Sequence, residues 1–171
     1  MRASIGRSLA ILAALAVAAC STLPKLDAAS DIHTFLVAVR DGDRATFDAH
    51  VDREALKSQL RARVVSETAR QTTSTQALGL AFLAGPLVDV AVDAMLRPEV
   101  FRAVAEMRGY SASTPIPGSF AIAQLVRPIG GGAVCVTNDR GGPCILVFKN
   151  DGGTYRLSGF EGDLSLLRPR R

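Results

Sequence analysis

The stretch from Ala133 to Phe160, AVCVTNDRGGPCILVFKNDGGTYRLSGF, decides the fold. It divides into apolar, β-branched runs at Ala133–Thr137, Cys144–Lys149 and Thr154–Phe160. Short runs of this kind, bounded by Gly, Asn and Asp, read as strands. Asp151-Gly152-Gly153 is a tight turn, and strands joined by so short a turn run antiparallel. Asn138-Asp139-Arg140-Gly141 has the composition of a type I turn. A further run with Phe120, Ile122 and Leu125 precedes these and is expected to complete a four-stranded meander, although its alternation is imperfect.

The same stretch carries two of the three cysteines. A two-residue loop at Asp139-Arg140 sets Cys135 directly opposite Cys144. Opposed strand residues sit about 4.5–5.5 Å apart at Cβ, close to disulfide reach. A slip of one residue would instead send the two thiols to opposite faces as free, buried groups. Both outcomes stay open at this level. No metal site is expected, because the chain has no C-x-x-C and only two His.

Upstream of the sheet the pattern changes to a helical period. Ile32, Phe35, Leu36 and Val39 fall at i, i+3, i+4 and i+7. Ser30 or Asp31 is placed to cap that helix, and Asp41-Gly42-Asp43 ends it. A short helix follows from Arg44 to about His50 with Phe47 inward. Asp52 then caps a longer helix to about Gln71. Leu56, Leu60 and Val64 form its stripe, with Arg53, Lys57 and Arg61 on another face. Ala77 to Ala84 is apolar, Gly85-Pro86 divides it from Leu87–Leu96, and its apolar part is too short for a membrane span. Its expected role is a buried helix, or else the wall of an apolar pocket or a partner-binding surface, with Leu80, Phe82 and Leu83 as the pocket-lining residues. Pro98-Glu99 opens another helix that Gly109 terminates. Residues 111–118 are Ser/Thr/Pro-rich and read as a connector. The fold class is therefore α+β, with N-terminal helices packed on a C-terminal antiparallel meander. The expected division is a helical part over 31–110, the connector over 111–118, the sheet over 119–165 and a basic tail over 166–171.

A chain of 171 residues, 48% hydrophobic and 21% charged, fits one globular domain with a tail. Its formal net charge is +4. Arg2 and Arg7 lie in the first nineteen residues without any acid, and removing those two leaves +2. So small an excess does not point to nucleic acid. Those nineteen residues have the parts of a signal peptide in order: the basic Arg2 and Arg7, then the apolar run Leu9–Ala19. Val17-Ala18-Ala19-Cys20 resembles a bacterial lipobox. The resemblance implies cleavage between Ala19 and Cys20 and acylation of the Cys20 thiol. Two or more acyl chains give stable anchoring. Ser21 after the lipidated Cys leans toward the outer membrane, since an Asp there marks inner-membrane retention in Gram-negative lipoproteins. Residues 20–30 read as a tether, with the folded domain beginning near Asp31.

Within the helical part, Asp43-Arg44-Ala45-Thr46-Phe47, Val51-Asp52 and Ala55-Leu56-Lys57-Ser58-Gln59-Leu60 resemble the bacterial domain of unknown function 2939 family. Lys149 to Leu157 resembles the family's charged–Gly–aromatic–basic–Leu ending, with Tyr155 in place of Trp, and Arg53 stands where an aromatic is expected. The family implies no activity. The Val-Asp step also has a physical reading, with Asp52 as N-cap and Val51 packing before it. At the level of architecture, helices followed by a meander also look like the nuclear-transport-factor-2-like cone, which encloses a pocket; fold alone does not carry function.

No G-x-S-x-G elbow, P-loop, Rossmann glycine pattern or H-E-x-x-H occurs. Gly130-Gly131-Gly132 precedes no helix and makes no phosphate cradle. His33 and His50 read as surface or half-buried residues, and Asp41/Asp43 and Asp89/Asp93 as local neighbours. No catalytic residue and no cofactor is assigned. The expectation is a non-enzymatic, membrane-anchored, periplasm-facing protein that binds an apolar ligand or an envelope protein. The alternatives are an envelope hydrolase with a site outside known motifs, or a structural assembly accessory.

Overall fold

The computed structural model describes residues 24–71, 90 and 93–161. Its sheet consists of β1 (Val126–Gly130), β2 (Ala133–Thr137), β3 (Cys144–Asp151) and β4 (Thr154–Phe160), in the order β1-β2-β3-β4. Each neighbouring pair is antiparallel. The β3–β4 turn works because Gly152 and Gly153 both take positive φ, 61° and 97°. That is the conformation a two-residue hairpin loop matching the strand twist requires.

The expected strand at Phe120, Ile122 and Leu125 is not a strand. Ser119–Ala123 is a helix, and the sheet starts at Val126. Burial gives the reason. Ile122 is 4% exposed and Phe120 is 76% exposed. In a strand those two residues, at i and i+2, would share a face. A helical turn sends them to different sides.

The first described helix, α1, occupies residues 24–41. It therefore starts before Ser30 and Asp31, which do not cap it, and 24–30 is not a tether. Ala28 and Ala29 are fully buried. Small residues that look like linker composition here allow a close approach to the core. Ile32 and Phe35 continue that face, each 2% exposed. Gly42, at φ 72°, turns the chain out of α1.

Next come α2 (Arg44–Ala49) and α3 (Arg53–Gln71). Each is capped by an aspartate. The Thr46 N–H donates to Asp43 Oδ1 at 3.1 Å, and the Ala55 N–H to Asp52 Oδ1 at 3.0 Å. Then α4 (Pro98–Met107) runs from the proline at its start to Gly109 at φ 87°, and residues 111–118 are irregular. The Ser119–Ala123 helix is α5.

Five phenylalanines join the helices to the sheet. Phe35 lies 5.5 Å from Phe47, 5.9 Å from Phe101 and 5.7 Å from Phe148, centroid to centroid. Phe101 closes the set at 5.2 Å from Phe47 and extends it to Phe160 at 6.3 Å. Aromatic pairs at such distances add about 0.5–1.5 kcal/mol each beyond the area they bury. Phe47, Phe148 and Leu157 are fully buried within this core.

Candidate functional site

The polar side chains that do most in this fold converge on the free edge of β4. A sheet edge presents unpaired N–H and C=O groups that invite another strand. Here the helices cover them. The chain between α2 and α3 makes a one-residue parallel bridge, Val51 to Leu157. The Leu157 N–H donates to the His50 carbonyl at 2.8 Å, and the Asp52 N–H to the Leu157 carbonyl at 2.9 Å. This explains the Val-Asp step. Val51 is buried, while Asp52 caps α3 with its side chain and pairs the sheet with its backbone.

On either side of that bridge the edge is met by side chains. Asp31 of α1 accepts the Tyr155 N–H at 2.7 Å. Gln59 of α3 imitates a strand: its Oε1 accepts the Phe160 N–H at 2.9 Å and its Nε2 donates to the Phe160 carbonyl at 3.0 Å. Arg63 donates to the same carbonyl. Gly159 leaves room for that amide, since a Cβ there would stand 3.3 Å from Gln59 Nε2.

His50 completes the junction. Its Nδ1 lies 2.8 Å from the Thr46 carbonyl, which can only accept, so Nδ1 carries the proton. Its Nε2 faces Asp31 Oδ1 at 4.0 Å, and the ring is 12% exposed. Both nitrogens face protein groups rather than an open cleft. The other histidine, His33, has Nδ1 2.9 Å from the Pro117 carbonyl and fastens the connector to α1.

A shallow groove of about 350 Å³ runs beside α1 and α2, lined by His33, Thr34, Val37, Asp41, Asp43 and Thr46 among others. Its carboxylates are already engaged. The Thr46 side-chain hydroxyl, with its backbone N–H second, holds Asp43 below the usual carboxylate range. The hydrogen bond from Arg40 does the same for Asp41. Groups held ionised in this way have no proton to donate near neutral pH, which does not suit general-acid work. Among the described residues, no three His, Cys, Asp or Glu side chains gather as metal ligands.

The basic face of α3 is partly spent on ion pairs. Arg53 reaches Asp48 at 2.5 Å, and Lys57 reaches Asp93 at 2.9 Å. Arg53 also donates to the Leu96 carbonyl. That ties α3 to the approach to α4.

Cys135 and Cys144 are joined by a disulfide, with Cα atoms 5.5 Å apart. They are not directly opposed, as the two-residue loop required. Cys135 pairs with Val147, and Cys144 pairs with Thr137 after a register shift. The bond closes diagonally across that irregularity. Ala19 and Cys20, the pocket residues Leu80, Phe82 and Leu83, and the basic tail all lie outside the described residues. Among the described residues no helix is long and apolar enough to cross a membrane.

Asp31 and Gln59 are edge contacts that pattern reading passes over. A signal for both exists in the sequence. Asp31 falls on the stripe of Ala28, Ile32 and Phe35, and Gln59 on the stripe of Leu56, Leu60 and Arg63. A polar residue at a core-facing helical position needs a partner inside the fold.

Fold and junction together define an α+β domain whose sheet edge is sealed by its own helices. A family model described as protein of unknown function (DUF2939) matches residues 10–104, more than half of the chain, and the chain belongs to that family. The matched span includes the Asp43–Leu60 segment and ends within α4, so the likeness at Lys149–Leu157 lies outside it. No curated protein and no solved structure matches the chain.

Proposed function

We propose that this DUF2939 protein is an exported lipoprotein whose domain binds an envelope protein without chemical turnover. Cysteine arithmetic carries the reading. Cys135 and Cys144 are bonded to each other, which suits an oxidising compartment. The remaining cysteine is Cys20, placed after Val17-Ala18-Ala19 at the end of an apolar leader. Its thiol takes the lipid, the domain faces the periplasm, and Ser21 favours the outer membrane.

Binding rather than catalysis is supported by the way titratable groups are used. Both ring nitrogens of His50 and the Nδ1 of His33 face a backbone carbonyl or Asp31, and Asp41 and Asp43 are held ionised. A protein partner is the occupant we propose for the large apolar side chains exposed among the described residues, Phe120 at 76% and Tyr110 at 61%. The apolar run Ala77–Ala84 favours a second reading, in which Leu80, Phe82 and Leu83 contact a lipid-like ligand.

The direct test is fractionation of cells expressing the full chain or Cys20→Ala. The full chain should sediment with membranes and Cys20→Ala should not. Equal membrane retention of both contradicts the anchor. A photo-crosslinker at position 120 should yield a discrete protein adduct, and its absence, with lipid bound at native mass, would move the reading to the ligand.

A further inference from the structure

The helix α1 is described from residue 24, four residues beyond Cys20. Four residues of chain span at most about 14 Å. On the anchoring reading above, on which this inference rests, the start of α1 is therefore held close to the bilayer.

Contacts along α1 say which end of the domain comes with it. Asp31 meets Tyr155 near the start of β4. Phe35, one turn later, packs on Phe148, the strand partner of Leu157. Phe101, in contact with Phe35, reaches Phe160 at the end of β4. The helix thus advances with β4, and its first turns lie toward the turn before β4. With about 1.5 Å of rise per helical residue, residue 24 is about 10 Å before Asp31. With about 3.3 Å per strand residue, Gly152 is about 10 Å before Tyr155. The β1–β2 turn sits at the same end, because the Asn150 N–H donates to the Gly132 carbonyl at 2.9 Å. This end exposes Leu26 (40%), Ile129 (47%) and Lys149. The other end of the sheet carries the 138–143 loop, the disulfide and Glu161.

We infer that the hairpin-turn end of the domain, Gly130–Gly132 with Asp151–Gly153, rests on the lipid surface that holds the anchor. Leu26 and Ile129 then enter the headgroup layer. The disulfide end points away from the membrane, where a partner in the periplasm reaches it.

The chain contains no Trp, so one introduced Trp reports its own position. Full-length lipidated protein carrying Leu26→Trp, Ile129→Trp or Glu161→Trp is reconstituted into phosphatidylethanolamine/phosphatidylglycerol vesicles doped with brominated lipid. Each replaced side chain is on the surface, and Ile129→Trp alone decides if Leu26→Trp does not fold. The expected result is co-flotation of all variants, with a severalfold greater loss of emission at 26 and 129 than at 161. Co-flotation with equal quenching at all positions, or with the greatest loss at 161, overturns the orientation and leaves the anchor standing. Failure of the full-length protein to float overturns the anchor and the orientation with it.

Discussion

Gln59 shows how much one polar residue does in this domain. Its amide supplies both hydrogen bonds that a neighbouring strand would give to Phe160. Leaving a partly buried backbone group unsatisfied costs about 1–3 kcal/mol. Gln59→Leu should therefore lower the unfolding free energy by about that amount, read in urea melts, while Gln59→Glu keeps an acceptor for the Phe160 N–H and loses the donor to its carbonyl. No loss in Gln59→Leu would mean that the edge is satisfied in another way. Thr46 gives a prediction in pH. Its hydroxyl donates to Asp43 at 2.6 Å and lowers that carboxyl's pKa in the folded state. A depressed folded pKa stabilises above the unfolded carboxylate value, about 3.9, and that gain is lost as pH falls through the folded value. The stability difference between the native chain and Thr46→Ala should be full at pH 6 and shrink below about pH 4. A difference that grows in acid would contradict the assignment.

Among the elements, α1 shows where sequence reading succeeds and fails. Ile32, Phe35 and Val39 mark its core face by period alone, and they are buried. Its start was not legible, because Pro24, Ala28 and Ala29 have the composition of a linker and apolar periodicity is weak in alanine. Burial of small side chains depends on what packs over them, which is tertiary information. Ala29→Asp tests this directly. In a tether it would be silent. In a fully buried helical position it places a charge without a partner and should cost several kcal/mol, seen as a lowered Tm. The opposite error occurred at Ser119–Ala123, where an apolar run of this length does not distinguish strand from helix. The strands β2 and β4 were legible to the residue because each is entered from a turn glycine, with Gly152 and Gly153 in the conformation their turn demands.

At the scale of the whole molecule, the junction closes the free edge of β4, while the disulfide ties the two inner strands β2 and β3. The helices close one edge with Asp31, Val51, Asp52, Gln59 and Arg63. The disulfide fastens the β2–β3 hairpin across nine residues of sequence separation. Closing so short a loop contributes about 2–3 kcal/mol through the unfolded chain. Replacing Cys135 and Cys144 with Ser should lower stability by about that much, in a melt that reductant leaves unchanged for the variant and shifts downward for the native chain. Equal melts with and without reductant in the native chain would contradict the bond's role. The candidate site was less legible than the fold. Asp31 and Gln59 act across more than a hundred residues, so no local pattern pairs them with β4. The functional proposal rests on export with a lipid on Cys20. Intact-mass measurement of the native protein extracted from membranes tests it most directly. The expected result is a chain beginning at Cys20 and carrying the mass of a diacylglyceryl group. A chain that keeps Met1–Ala19, or one cut there without added lipid, would contradict it.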